Sequence, residues 1–474
     1  MFDKFKDECG LIGVWNHKEA ANIAYLGLYG QQHRGQEGAG VVALDRKGGA
    51  SFSAHKGLGL VSDVFTDFKF SKLPGDCAIG HVRYTTAGGN KLSNVQPFLS
   101  EISCGTVAIA HNGNLINADS LRRELISDGA IFGSTSDTEV ILHLLARGRR
   151  NEVLTETIID ALKTIKGTFS LLMLFNDRLV AVRDPNGFRP LCIGRLNGSI
   201  VIASETCALD LLGADYVRDI GPGELVEIVD ENTIKSYFPF GMVKETPCVF
   251  EFVYFARPDS YIFERNVYPV RIKMGIELAK EHPADADIVI PVPDSGLTAA
   301  IGYSRESEIP LELGLIRNHY VGRTFIEPLQ SIRNFGVRIK LNPNKEVIEG
   351  KRVVVIDDSI VRGTTSKKII NMIRKAGAKE IHLRISSPPT TDPCFYGVDT
   401  PSKEELIASY LDVEGIRDFV GADSLGYLSL EGLYKAVESK EGKLCDACFS
   451  GCYPIGKPSM FTGKKQLDFF EREN

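Results

Sequence analysis

The stretch Val353–Ser366 (VVVIDDSIVRGTTS) sets two adjacent carboxylates, Asp357 and Asp358, at the end of an apolar run and follows them with Arg362-Gly363-Thr364-Thr365-Ser366. Two kinds of chemistry meet there. The N–H groups of Gly363, Thr364 and Thr365, at a helix start, would point at an anion, where the helix dipole also favours negative charge. The hydroxyls of Thr364, Thr365 and Ser366 add donors. The carboxylates do the opposite work, accepting from sugar hydroxyls or holding Mg2+. A sugar bearing a phosphate fits both halves of the loop. A helix cap alone would need neither the second carboxylate nor the Arg-Gly-Thr-Thr that follows, and the G-x-x-x-x-G-K-[ST] of a P-loop is not there.

A second set of residues surrounds an early cysteine. Cys9 precedes an apolar run and follows eight mostly charged residues; position alone reads as a buried core cysteine. Polar clusters then recur at the ends of apolar runs: His33–Gly40, Gly80–Thr86, His111–Asn114 and Thr135–Glu139. Strand ends are where loops carry function. Ten cysteines in 474 residues are too sparse for a disulfide scaffold, so each is expected to be a small buried apolar residue. Cys77, Cys104, Cys192 and Cys207 fit that expectation. Cys248 and Cys394 each follow a proline, and Cys445 and Cys448 form C-x-x-C in a Gly/Asp-flanked tail. Paired thiolates at this spacing chelate one metal or cluster. The spacing alone is compatible with zinc, a redox pair or iron–sulfur, and Cys452 offers a fifth thiol that competes with Cys445.

The elements that must position these residues differ between the two halves. Up to about residue 240, short β-rich runs are bounded by Gly, Asn and Asp: Cys9–Trp15, Val41–Leu44, Val107–Ala110, Leu171–Phe175, Leu179–Val182 and Ile200–Ala203. Two helices interrupt them, one from a capping box at Ser136–Glu139 and one over Val153–Thr164. Blocks of strands separated by helices predict two packed sheets flanked by helices. Beyond Ser236–Pro247, strands at Ile288–Pro291, Val353–Ile356 and Ile381–Ile385 alternate with helices near Leu297–Tyr303 and from Ile369 to Gly377, which predicts a parallel α/β sheet. Composition is that of a globular chain, 43% hydrophobic and 24% charged. A net charge of −6, from 55 basic and 61 acidic residues, excludes a nucleic-acid coating protein. No apolar run is long enough to span a bilayer and the N-terminus has no apolar signal region, so a cytoplasmic protein without membrane partners is expected.

Val353–Ser366 resembles the phosphoribosyltransferase signature, and the clusters around Cys9, in order, resemble the N-terminal-nucleophile glutamine amidotransferase domain. From Cys9 to about Tyr453 the chain is similar to the amidophosphoribosyltransferase family, in its iron–sulfur subtype. The resemblance implies an αββα sandwich followed by a phosphoribosyltransferase-type parallel sheet. It implies a propeptide at 1–8, a class II glutamine amidotransferase domain at 9–240, and a phosphoribosyltransferase domain with a cysteine-bearing tail at 241–474. The implied reaction frees ammonia from glutamine and transfers it to C1 of 5-phosphoribosyl 1-pyrophosphate, the first step of de novo purine synthesis.

The same resemblance assigns roles. Cys9, Asn112 and Gly113 are catalytic; Arg34, Arg83, Thr86 and Asp137 bind glutamine. Asp357, Asp358, Ser359, Arg362, Gly363, Thr364 and Thr365 bind phosphoribosyl pyrophosphate, Pro293–Gly296 looks like its pyrophosphate turn, and Arg323 sits in a lid within Arg317–Arg333. Ser295, Asp357 and Asp358 hold Mg2+. Cys248, Cys394, Cys445 and Cys448 hold a 4Fe–4S cluster, with zinc as runner-up. Purine nucleotides are the implied inhibitors and a homotetramer the implied assembly. Two rival readings share parts of this pattern: a phosphoribosyl-pyrophosphate sensor without glutaminase activity, and an enzyme like glucosamine-6-phosphate synthase, which needs sugar-isomerase domains in the second half.

Overall fold

The computed structural model describes residues 9–47, 49–66, 68–84, 91–148, 153–230, 233–241, 244–318 and 341–458. Two antiparallel sheets are built from strands between Gly10 and Tyr237. One runs, in spatial order, Asp215–Asp219, Cys192–Leu196, Ser199–Ala203, Gly10–Trp15, Cys77–Arg83, Gly38–Asp45 and Ser51–Leu58. The other runs Ile234–Tyr237, Leu225–Ile228, Leu179–Arg183, Gly167–Phe175, Gly105–Leu115 and Phe98–Ile102.

Inner side chains of both sheets, among them Leu11, Trp15, Ile79, Ala108, Leu172 and Val226, form one core. The outer face of the first sheet packs Ile12, Val14 and Val201 against helices Ala20–Gly30 and Thr206–Leu212. The second sheet packs Val107, Ile109 and Met173 against helices Ala118–Ser127, Thr138–Ala146 and Leu154–Thr164. Helix, sheet, sheet and helix thus stack in four layers. Because the central strands are covered on both faces, Gly10–Trp15 and Gly167–Phe175 are buried at every residue and read as continuous apolar runs rather than alternating ones.

The second half carries a four-stranded parallel sheet in the order Ile288–Pro291, Arg352–Asp357, Glu380–Ile385, Ser424–Tyr427. Val354 and Ile356 face helices Val267–Glu281, Leu297–Ser307 and Leu430–Val437. Val353 and Val355 face helices Thr364–Lys375 and Val413–Val420. The helix from Thr364 buries Ile369, Ile370 and Ile373, and Gly377, at φ 98°, closes the turn that follows it.

Some expectations change. The Ser136–Glu139 capping box does not form. Glu139 instead accepts from the Gly133 and Ser134 amides at 2.7 and 2.8 Å, because the chain before the helix folds back over it. Cys104 is half-buried, not core: it lies in the two-residue turn joining Phe98–Ile102 to Gly105–Leu115, where there is no interior to enter. Among the described residues, no helix is long and apolar enough to cross a membrane. Met1–Glu8, Thr86 and the lid residue Arg323 lie outside the described residues.

Candidate active site

Cys9 immediately precedes the strand Gly10–Trp15 and is 7% exposed; its Sγ points at the Tyr84 carbonyl, 3.7 Å away. That strand pairs with Cys77–Arg83 in the register Gly10↔Val82, which brings Arg83 to the same sheet end. Burial lowers the pKa of the Arg83 guanidinium against the pull of Cys9, Glu37 and Asp137. The two sheets meet where His81 Nε2 donates to the His111 carbonyl at 3.1 Å. Burial, reinforced by Arg83, pushes the His81 pKa down to about 3, so the ring is neutral and its proton sits on Nε2.

Next along that second strand come Asn112 and Gly113. Asn112 is 1% exposed, and its Nδ2 donor has no partner among the described residues. A buried donor left unsatisfied costs about 1–3 kcal/mol, which makes it a group waiting for an acceptor. Gly113 has φ 150°, and a Cβ there would stand 2.0 Å from the Thr168 carbonyl, so only glycine fits. Asp137 does not cap its helix with its side chain. Its Oδ2 accepts from the Leu115 amide at 2.9 Å, and Oδ1 lies 3.6 Å from His111 Nδ1. Burial pushes this carboxyl up, but His111 and the Leu115 and Thr138 amides outweigh it and hold the pKa below its ordinary value. A thiol, an orphaned amide donor, a guanidinium and a carboxylate thus converge on one end of the sandwich. Such a set can attack an amide carbonyl and grip a zwitterion beside it.

Arg34 sits under this site. Its Nε donates to the Cys9 carbonyl at 3.2 Å, and its other nitrogens pair with Glu205 and, at 2.7 Å, with Glu251. All three side chains are fully buried. The guanidinium therefore holds Cys9 by its backbone. Sequence reasoning missed Glu205 and Glu251. Nothing in their spacing marks them, since they lie 171 and 217 residues from Arg34.

At the carboxyl end of the parallel sheet, Asp357 and Asp358 are 2% and 1% exposed. The Asp358 amide donates to Asp357 Oδ1 at 2.9 Å, and Ser359 Oγ donates to Asp358 Oδ1 at 2.6 Å. Gly363, at φ 75°, turns the chain into the helix. A Cβ there would stand 2.9 Å from Ile407 and 3.1 Å from Phe419. Thr365 and Ser366 are buried and Thr364 is exposed. Arg362 points at Glu405, 2.9 Å away.

Ser295 lies in the turn after the adjacent strand Ile288–Pro291, and Gly296 in that turn packs on the Ile356 carbonyl. The turn and the acidic pair therefore share one strand edge, where open α/β sheets bind ligands. Arg317 pairs with Asp294 of the turn. Burial brings buried Arg271 down to about 10, against the pull of Asp358, and it stays charged at neutral pH.

Cys248, Cys394, Cys445 and Cys448 line one cavity together with Phe250, Tyr396 and Tyr453. Cys445 donates its amide to the Pro247 carbonyl at 2.8 Å and accepts from Val249 at 3.1 Å, so the tail is stitched beside Cys248. The Tyr396 amide donates to Cys394 Sγ at 3.2 Å. Burial, with the neighbouring thiols, raises the Cys445 and Cys448 pKa values well above the ordinary range. A coordinated cation would deprotonate them outright. Cys452 is exposed and outside the cavity lining. Among the described residues, the one group of metal-type ligands lying within 4.8 Å of one another is His33, Glu205 and Cys207. Glu205 there is already taken by Arg34, Ser260 and the Arg257 amide.

Comparison with known proteins follows the same division. Residues 82–211 match the family described as glutamine amidotransferase domain, and residues 271–387 match the phosphoribosyl transferase domain. The second match sets aside the reading that needed sugar-isomerase domains. The chain is 54% identical to a chloroplastic amidophosphoribosyltransferase of Vigna aconitifolia, over 96% of this chain and 92% of that one. It is 52% identical to the amidophosphoribosyltransferase of Methanocaldococcus jannaschii, over 94% and 97%. Its fold matches the glutamine phosphoribosylpyrophosphate amidotransferase of B. subtilis solved with ADP and GMP, with a TM-score of 0.89 and 48% identity, covering 94% of this chain and 98% of that one. The chain belongs to the amidophosphoribosyltransferase family.

Proposed function

We propose that the two centres carry out one reaction, in which ammonia freed from glutamine at Cys9 displaces pyrophosphate from C1 of 5-phosphoribosyl 1-pyrophosphate. What carries this reading is the coexistence, in one chain, of an orphaned amide donor at Asn112 near the end of the sandwich that holds Cys9, and a buried carboxylate pair ahead of the Gly363 turn.

Removal of Met1–Glu8 would give Cys9 a free α-amine, with an ordinary pKa of about 7.7–8.0. The amine takes the thiol proton as sulfur attacks the carboxamide carbon. The oxyanion then accepts from Asn112 Nδ2 and the Gly113 amide, each such donor being worth about 2.7–4 kcal/mol. Collapse breaks the C–N bond, the proton leaves with ammonia, and water clears the thioester as glutamate. Arg83 takes the substrate α-carboxylate and Asp137 its α-ammonium, with Thr86 completing the pocket. Arg34 fixes Cys9 from below. N-terminal sequencing of active protein is expected to begin at Cys9; fully active protein that retains Met1 would contradict the amine's role.

In the second centre, Asp357 and Asp358 accept from the ribose hydroxyls. Ser359, Gly363, Thr364 and Thr365 cradle the 5-phosphate, joined by Arg362 once it shares Glu405, and Arg323 covers the pyrophosphate. The carboxylates and Ser295 are the hard oxygen donors that Mg2+ prefers, and the ion would neutralise charge on the departing pyrophosphate. Ammonia attacks C1, the C1–O bond breaks, and the pair of electrons leaves with pyrophosphate. The chemical test is pyrophosphate release supplied with glutamine or with ammonia. Release is expected with either; release with neither would overturn the reading.

The four cavity cysteines suit a 4Fe–4S cluster. The amide-to-sulfur hydrogen bond from Tyr396 to Cys394 Sγ, 3.2 Å, is of the kind found at iron–sulfur sites. The group would pin the tail to the rest of the chain. Anaerobically purified protein is expected to carry about four iron and four sulfide per chain, whereas a colourless preparation with stoichiometric zinc would contradict this. Inhibition by purine nucleotides and a homotetrameric assembly belong to the same reading, the first supported by the ADP and GMP in the B. subtilis relative.

A further inference from the structure

Among the described residues, 110–115 of the strand that carries Asn112 and Gly113 have a strand neighbour on one side only, Gly167–Leu172. The strand Phe98–Ile102 pairs no further along than Ile109. The oxyanion segment therefore depends on other support. Gln96 Oε1 takes the His111 amide at 2.7 Å. Beyond that point Asp137 takes the Leu115 amide at 2.9 Å, and three consecutive residues of the second half add further support. Asn114 Nδ2 donates to the Phe395 carbonyl at 2.9 Å, and fully buried Arg189 donates to the Tyr396 carbonyl at 2.6 Å. Gly397, at φ 102°, lies so close that a Cβ on it would stand 3.2 Å from Gly113 Cα and C, and 3.5 Å from Arg189. Gly113 is itself backed by the Thr168 carbonyl.

We infer that Phe395–Gly397 is a positioning strap that fixes the Gly113 peptide, so that glutamine hydrolysis requires the second half to be seated on the oxyanion strand. The inference rests on the proposed role of Asn112 and Gly113. It adds a contribution from the second half to the chemistry of the first. Oxyanion donors work only when aimed at the position the developing charge will occupy, and small misplacements are costly. Arg83 lies on another strand, and Asp137 meets this one at Leu115, beyond Gly113, so the strap should act chiefly on the chemical step rather than on glutamine affinity.

The test uses Gly397→Ala, which crowds Gly113, and Asn114→Ala, which removes one tie without adding bulk, each in the full-length mature enzyme. The glutamine-supported kcat is expected to fall about 10- to 100-fold, with the KM for glutamine within about 3-fold and ammonia-supported pyrophosphate release unchanged. Equal loss with both nitrogen donors, a change in KM alone, or an unchanged kcat in both variants would overturn the strap. If Gly397→Ala fails to fold, Asn114→Ala decides alone. Cys9→Ala, assayed alongside, keeps the two claims apart: glutamine use retained there would remove the nucleophile itself, whatever the strap variants do.

Discussion

Cys9→Ala is expected to abolish glutamine-supported pyrophosphate release, by at least about 10⁴-fold, while ammonia-supported release stays near that of the unaltered enzyme. The loss follows because the other thiols toward that sheet end cannot replace Cys9 in forming the acyl bond: Cys192 is buried on the outer face of the sheet, and burial raises the pKa of both Cys192 and Cys207 well above the ordinary thiol range. The selectivity follows because the sulfur belongs to the first centre alone, where it points at the Tyr84 carbonyl, 3.7 Å away. Arg34 grips the backbone carbonyl of residue 9, not its side chain, so the tie to Glu205 and Glu251 survives the change. A lost sulfur in a buried site leaves a small cavity, costing about 1–2 kcal/mol, well within the stability of a typical domain. Parallel assays with the two nitrogen donors check this. Loss of both activities would make Cys9 a structural residue.

Asp357→Asn should give the complementary pattern, with pyrophosphate release falling about 10²-fold or more with either donor. The change is nearly isosteric. An asparagine oxygen can still accept from the Asp358 amide, now held at 2.9 Å, so the loop should keep its shape. What disappears is a negative charge at a site only 2% exposed. Hydrogen bonds to charged groups contribute about 1.5–3 kcal/mol, and 1.4 kcal/mol is tenfold in rate. Steady-state kinetics in phosphoribosyl pyrophosphate with ammonia as co-substrate read the effect without involving Cys9. Unchanged kcat/KM would remove Asp357 from the site. Together the two variants separate the centres: one loses a single nitrogen source, the other loses the acceptor for both.

Local chemistry was legible in the sequence where it is also local in space. Val353–Ile356, buried on both faces, could only be a covered strand, and the acidic pair and glycine after it follow from that. The C-x-x-C is readable in the sequence, whereas the exposure of Cys452 and its place outside the cavity lining are not, since spacing alone permits it as a ligand. Glu205, Glu251 and Arg189 gave no signal, because a buried ion pair between residues some two hundred positions apart depends on how the chain closes. Glu139 was misread for a related reason: the box motif describes a helix end in isolation, while here the preceding segment folds back and captures the carboxylate first. Gly397 carries no mark in the sequence, and its place against Gly113 appears only once both halves are assembled.

The most direct measurement supplies glutamine labelled with 15N in the amide, together with phosphoribosyl pyrophosphate, and follows nitrogen, glutamate and pyrophosphate together. Two centres sharing one reaction predict that the label arrives on C1 of the product, with one pyrophosphate and one glutamate formed per label transferred. Glutamate accumulating with no pyrophosphate released, or product whose nitrogen carries no label, would contradict the account.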